Sequence, residues 1–416
     1  GLSPCRFSMQ ASPAGDFSKE FEVVTGHYFE VKLTGPAIVV ANVTDAGGGW
    51  YHVDYIIADP GEYSMEVRLL FASGSGYADP GAGQPRLFVN REVAGSPFTV
   101  VASLPPGDKN PFYSPEPCRR SQIGALPGRW LRLDVCKESL GEACRHADTQ
   151  RFDPADPYAW IPFDCTLRAY DAADHASCAV GRDGMKLMLS GTSLSRTSYY
   201  DLILLHDPTI NTTKEWEDMD WPGPPFIGFH WAARNPDHVD FPQNAPSEER
   251  TGRLTYNMTL DHFADGMARF ANRSADVIIV ACQIFDILKA PLYPDYVDNM
   301  GKLRDLLKTS PGEVIWRTGE AIHDRILDAQ WDFANWPGRY MNGPRTIRAN
   351  EIAVPMMKEA GFRIFDPWLT TAGRMDKAEP DGNHYWKMEG YPESRRGNGV
   401  ANLNAQIILN MLCNDE

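Results

Sequence analysis

Near residue 185 the hydrophobic pattern of this chain changes period, and the two patterns require two different layer architectures. Upstream, apolar and polar residues alternate in short runs: Phe29-Glu-Val-Lys-Leu33, Trp50-Tyr-His-Val-Asp-Tyr-Ile56 and Tyr63-Ser-Met-Glu-Val-Arg-Leu69. Gly47-Gly-Gly49 and Asp59-Pro-Gly61 punctuate them as turns. That alternation over residues 18 to 103, closing on Gly95-Ser-Pro-Phe-Thr-Val100, predicts a β-sandwich. Downstream, apolar runs at 186–191, 277–282, 314–318 and 363–365 alternate with amphipathic stretches, the pattern of α/β units building a parallel sheet. The spacing predicts helices over 193–204, 260–272 and 296–308, and in the last of these Val297, Met300, Leu303 and Leu307 share a face. A final helix is expected after a cap at Asn398, with Val400, Leu403, Ile407 and Met411 at helical spacing.

Between the two patterns, residues 104–184 are rich in Pro, Cys and aromatic residues and show little helical periodicity. The expected organisation is a multidomain chain: residues 1–103 a β-sandwich, 104–184 a Cys/Pro-rich connector packed on the catalytic domain, and 185–416 an α/β domain with a parallel sheet. A length of 416 residues provides ample core for this, at roughly 100 to 200 residues per domain.

Eight cysteines (Cys5, Cys118, Cys136, Cys144, Cys165, Cys178, Cys282 and Cys413) show no short paired spacing of the zinc-ribbon kind, and five of them crowd between 118 and 178. Disulfides are the expectation, with Cys282 in its apolar run open to being an inert buried thiol. Acceptor tripeptides for N-glycosylation stand at Asn42, Asn211, Asn257 and Asn272. Both signals point to a secreted or secretory-lumen protein. The chain opens on Gly1-Leu-Ser-Pro4 and not on Met, which leaves room for a removed signal peptide or a Golgi-type amino-terminal anchor. No apolar run approaches the roughly 20 residues of a membrane span. A formal charge of −15 repels polyanions, so nucleic acid is not an expected partner.

The Gly-rich turn, the aromatic strand, Pro60-Gly-Glu-Tyr63 and the closing Gly95-Ser-Pro-Phe-Thr-Val100 together resemble a filamin-type immunoglobulin-like repeat. Nothing in that segment offers a nucleophile and base at meaningful spacing, so the chemistry is expected downstream.

In an open parallel sheet, reacting groups gather where strands end and helices begin. Leu187-Met-Leu-Ser-Gly-Thr-Ser-Leu-Ser-Arg196 is an apolar strand breaking at Gly191 into a helix that opens on Ser193. There the hydroxyl stands above the sheet edge, and a helix amino terminus stabilises negative charge on a tetrahedral oxyanion. In Pro380-Asp-Gly-Asn-His-Tyr385, Asp381 and His384 are close enough to meet within one loop, so Asp381 is able to orient the ring that takes the Ser193 proton. Taken singly, a Ser after Gly-Thr also serves as a helix cap, and a loop Asp-x-x-His also serves as a solvated turn. Their joint order along an α/β chain suggests nucleophile, base and orienter.

Read together, these motifs resemble the PC-esterase branch of the SGNH (GDSL-type) hydrolase superfamily. That branch includes trichome-birefringence-like polysaccharide acetyltransferases, a sialic-acid acetyltransferase and the neurexophilin-and-PC-esterase proteins. Gly128-Arg-Trp130, Tyr158-Ala-Trp-Ile-Pro-Phe-Asp-Cys165 and Asp366-Pro-Trp-Leu-Thr-Thr371 are similar to segments of that branch, and the filamin-like front end is similar to the neurexophilin-and-PC-esterase arrangement. The resemblance implies Ser193 as acyl nucleophile, His384 as base then acid, Asp381 as orienter, and Arg196 in an electrostatic or structural role. Two positions depart from it. Thr192 stands where the family usually has Asp before the serine. Cys282-Gln-Ile-Phe285 stands where a Gly and then an Asn or His usually assist the oxyanion, with Gln283 as the amide available for that role or for a backbone bond.

Trp216, Trp221, Phe226, Phe229 and Trp231 interleave with Pro and acidic residues, a composition that suits either a sugar-stacking groove or packed core. Arg317 and Glu320 follow a predicted strand end, where they face the cleft or pair with each other. The histidines form no two-histidine helical motif, so neither a metal nor another cofactor is expected. The expected function is a serine O-acetyltransferase or esterase on carbohydrate acetyl groups, with a polysaccharide or glycan substrate and, for transfer, an acyl donor. The alternatives are a non-catalytic glycan-binding or adhesion protein with a degenerate site, and a glycan-cleaving hydrolase on the same fold.

Overall fold

A computed structural model describes residues 4–11, 26–72, 88–103, 114, 116–141, 144, 155–181, 184–210, 212, 218–223, 225–231, 256–281, 293–326, 342–379, 382–385 and 397–415. The protein is multidomain, with antiparallel sheets in its amino-terminal part and a parallel α/β sheet in its carboxyl-terminal part.

The amino-terminal strands are β1 (Cys5–Gln10), β2 (Tyr28–Thr34), β3 (Ala37–Val40), β4 (Asn42–Gly47), β5 (Trp50–Tyr55), β6 (Gly61–Phe71), β7 (Phe88–Glu92) and β8 (Phe98–Ala102). β1, β5 and β4 form one antiparallel sheet, and the others form a second in which β8 also pairs with β6. All three glycines of Gly47-Gly-Gly49 have positive φ, a conformation glycine adopts without steric cost, and this turn connects β4 to β5. Alternate residues Val31 and Leu33, Tyr63, Met65 and Val67, and Val53 from the opposite sheet meet in one apolar cluster.

That second sheet continues into the region between 104 and 184. β9 (Gly128–Arg132) pairs with β3, and β10 (Tyr158–Pro162) pairs with β9. These strands are apolar on both faces. Ala37, Leu131, Ala159 and Ile161 point into the amino-terminal cluster, while their neighbours Ile38, Trp130 and Trp160 pack into the core of the carboxyl-terminal part. Strand periodicity thus makes one sheet serve both units. α1 (Leu133–Leu140) follows β9 and is braced by the Cys136–Cys144 disulfide, while Cys118–Cys165 closes the segment around the hairpin.

The carboxyl-terminal sheet contains β11 (Lys186–Gly191), β12 (Met219–Trp221), β13 (Phe226–Trp231), β14 (Val277–Val280), β15 (Glu313–Arg317) and β16 (Arg363–Phe365) in the order β12-β13-β11-β14-β15-β16. Every pairing is parallel except that of the edge strand β12. Successive residues face opposite sides. Leu187, Leu189, Ile279, Ile315 and Phe365 meet α2 (Ala172–Gly181), α3 (Ser193–Leu204) and, at the end of the chain, a long helix spanning Gly399–Cys413. Met188, Ile278, Val280, Trp316 and Ile364 meet α4 (Tyr256–Arg273), α5 (Tyr293–Leu307) and α6 (Gly343–Glu359). The short α7 (Trp368–Thr371) precedes the long terminal helix, here α8. The Asn398 side chain accepts from the N–H groups of Val400 and Ala401 and so caps α8, and the Cys178–Cys413 disulfide ties α8 to α2. Among the described residues, no helix is long and apolar enough to cross a membrane.

Elements outside the sequence expectations include α1 and α2, helices in a region expected to show little helical periodicity, and two stretches further along the chain. The aromatic stretch ending at Trp231 is the strand β13, with Phe229 fully buried, and 343–359 is a helix that begins with Gly-Pro and carries Pro355 inside it.

Candidate active site

β11 lies at the point where the sheet order reverses: the chain goes from β11 to β12 and β13 on one side, then crosses to β14 on the other. Loops at the carboxyl ends of the strands diverge at such a switch point and leave a crevice. β11 ends there at Gly191. A Cβ on Gly191 would clash with the Ser195 hydroxyl and stand 2.6 Å from the Ala281 carbonyl oxygen, so the turn requires glycine for space. Thr192 is buried and extended, with φ −107° and ψ −161°, and Ser193 opens α3. The first intrahelical bond runs from the Arg196 N–H to the Thr192 carbonyl, 2.9 Å. The first turn of an α-helix leaves N–H groups without intrahelical partners at its positive end, beside the Ser193 hydroxyl.

The Ser193 Oγ lies 2.6 Å from His384 Nε2, and both residues are partly buried. With the ring proton on Nδ1, Nε2 accepts the hydroxyl proton, which is the geometry a general base needs. The loop around His384 is pinned through its main chain. The Glu379 N–H donates to the His384 carbonyl at 2.7 Å, the His323 N–H to the Gly382 carbonyl at 2.8 Å, and the Asn398 N–H to the Tyr385 carbonyl at 2.8 Å.

The remaining sequence candidates distribute as follows. Asp381 and Gln283 lie outside the described residues, as do Asn211 and Trp216. Trp231 ends β13, and Asn257 lies in α4, but the side chains of both fall outside the description. Asn42 in β4 and Asn272 in α4 are exposed. Arg196 is 1% exposed within the first turn of α3, one turn on from Ser193. Arg317, the candidate substrate contact, is not in an open cleft. It is 1% exposed, forms an ion pair with Glu320, and has its guanidinium 5.8 Å from the Phe365 ring. Burial raises the Glu320 carboxyl pKa against the opposing attraction of Arg317, and Asn404 also donates to Glu320 at 3.4 Å. Phe229, a candidate for the sugar groove, belongs to the core, while Trp221 is half-buried against His206.

Sequence reasoning missed two contacts. Ser190 Oγ and His230 Nδ1, on adjacent strands, stand 3.0 Å apart; both residues are buried, so this second serine–histidine pair is closed to substrate. His323 Nε2 and the Tyr385 hydroxyl meet at 2.7 Å, beside the loop that carries His384. Tyr385 adjoins the Asp-x-x-His motif, whereas nothing in the local sequence marks His323. Among the described residues, no three His, Cys, Asp or Glu side chains gather in a metal-binding arrangement.

No family model and no curated protein matches this chain. Among solved structures, the chain is similar to a GDSL-like lipase from Bacteroides thetaiotaomicron, with 10% identity, a TM-score of 0.31, and coverage of 57% of this chain and 97% of that one. A second solved structure has 14% identity, a TM-score of 0.30, and coverage of 55% of this chain and 99% of that one.

Proposed function

We propose that the protein is a serine-dependent acyl-ester enzyme acting on carbohydrate O-acetyl groups, as a glycan O-acetyltransferase or acetylesterase. The observation that carries this reading is the 2.6 Å contact between the Ser193 hydroxyl and His384 Nε2 at the mouth of the parallel sheet. In the first half-reaction His384 takes the hydroxyl proton as Oγ bonds to the acetyl carbonyl carbon. The tetrahedral oxyanion is stabilised by the amino terminus of α3, and the leaving alkoxide departs with the proton from His384. In the second half-reaction, water or a sugar hydroxyl gives its proton to His384 and attacks acetyl-Ser193, which restores the serine. Asp381 is assigned to orient the His384 ring on the strength of the Asp-x-x-His motif. On the same reading, the chain belongs with PC-esterase proteins that carry a filamin-type β-sandwich in front. The three disulfides among the described residues and the exposed Asn42 and Asn272 acceptors fit passage through the secretory route.

A fluorophosphonate probe tests the assignment. The wild-type protein is expected to form an adduct on Ser193 and to turn over an acetyl ester, and Ser193→Ala is expected to do neither. An unreactive Ser193 in a protein that binds acetylated oligosaccharides tightly would make it a glycan-binding protein instead.

A further inference from the structure

We infer that His323 and Tyr385 are positioning residues for the reaction, holding the imidazole of His384 in register with Ser193. This rests on the reading of Ser193 and His384 as the reacting pair. His384 lies outside any helix or strand among the described residues, and its position must be fixed, because a displacement of 1 Å at a reacting group is able to cost on the order of 100-fold in rate.

His323 holds the loop on both sides of His384. Its main-chain N–H donates to the Gly382 carbonyl, 2.8 Å away and two residues before His384. Its Nε2 meets the hydroxyl of Tyr385, 2.7 Å away and one residue after. Either tautomer satisfies the second contact. If Nε2 carries the proton it donates to the phenol oxygen, and the phenol proton turns to the Thr371 carbonyl at 3.3 Å or the Ala321 carbonyl at 3.4 Å. His323 is 3% exposed and Tyr385 is 2% exposed, so water cannot replace the bond if it is lost. Burial lowers the His323 pKa to about 3, which favours the neutral ring that the contact with the Tyr385 hydroxyl uses.

Residues 318–326, which carry His323, are anchored at several further points, three of them flanking His323 closely. The Ala321 N–H donates to Thr371 Oγ1 at 2.9 Å. The Asp324 carboxylate accepts from the Gly343 N–H, 3.1 Å to each oxygen, at the start of α6. Arg325 pairs with Glu66 at 3.2 Å and Glu30 at 3.5 Å on strands β6 and β2. The catalytic loop is thereby connected through His323 to the helix layer and to the amino-terminal sheet.

The test compares Tyr385→Phe, His323→Leu and His323→Gln with the wild type in acetyl-ester kinetics, rate of fluorophosphonate labelling at Ser193, and thermal unfolding. Tyr385→Phe keeps the ring and removes only the hydroxyl. It is expected to lower kcat and the labelling rate together by about 10- to 100-fold, with KM unchanged and the protein fully folded at the assay temperature. His323→Leu is expected to do the same, and His323→Gln, whose amide reaches the same hydroxyl, to recover most of the rate. If wild type is labelled and Tyr385→Phe reacts equally fast, or loses only in proportion to its unfolded fraction, the positioning role is wrong while the serine mechanism stands. A wild-type Ser193 inert to the probe removes both.

Discussion

The Ser193 hydroxyl and the His384 imidazole are 2.6 Å apart across 191 positions of chain, and each is presented by a different device. The serine is delivered by a strand-to-helix turn that only glycine fits, and the histidine by a loop tied at three main-chain points. Neither device depends on the other, so the contact depends on the whole parallel sheet being correctly assembled.

On the proposed mechanism the two side chains act as one unit, so their removal should not be additive. Ser193→Ala and His384→Ala are each expected to lower kcat on an acetyl ester by roughly a millionfold, and the double variant by no more than either alone. Steady-state kinetics on the three purified variants would show this. A double variant much worse than both singles would mean that the residues act separately.

Gly191→Ala is expected to destabilise the fold by about 1–3 kcal/mol and to depress turnover, since the new methyl group is driven against the Ala281 carbonyl at 2.6 Å. The Ser195 hydroxyl is the other obstacle, so adding Ser195→Ala should recover only part of the loss. Urea midpoints of the single and double variants measure it, and a Gly191→Ala protein as stable and active as wild type would contradict the crowding.

Arg374 is fully buried, paired with Asp156 at 2.6 Å and Asp376 at 2.9 Å, with its guanidinium 4.4 Å from the Trp130 ring. It joins the segment preceding β10 and the β9 strand to the carboxyl-terminal part. Arg374→Met would remove the closest ion-pair partner of the buried Asp156, which also accepts from the Tyr158 N–H at 3.0 Å and has Lys377 at 3.6 Å, and is expected to cost about 3–5 kcal/mol in a denaturation experiment. Arg374→Lys, lacking the planar fork and the ring contact, should recover less than half of that.

Stability should fall as pH drops below about 6.5, the free imidazole value. Burial pushes both His175 and His323 down to about 3, with the neighbouring His206 adding to the effect on His175. Between those values the unfolded chain binds protons that the native state refuses, so each ring removes up to about 1.4 kcal/mol per pH unit until the native value is reached. His323→Gln should therefore show a shallower loss between pH 6 and pH 4.5 than wild type. Equal slopes in urea titrations across that range would show that His323 is not held neutral.

The alternation of 186–191 with the helix at 193–204, and the cap at Asn398, are readable in sequence because periodicity and capping depend on residues a few positions apart. The same holds for the Ser193 turn and the Asp-x-x-His loop as separate motifs, although Asp381 itself falls outside the described residues. Pairing of distant strands is different. Leu131 finds Ala37 across the chain, and the Gly128–Arg132 and Tyr158–Pro162 hairpin extends the amino-terminal sheet while turning Trp130 and Trp160 into the other core. No local pattern encodes which edge a strand joins, since both faces of these strands are apolar and either neighbour would bury them. The burial of Arg317 against Glu320, and the grip of His323 on the loop that carries His384, arise in the same way. His323 and Tyr385 are 62 positions apart and meet only when the packed layers close, and the Arg317–Glu320 pair, although only three residues apart in sequence, is buried by those same layers, which exclude water from it.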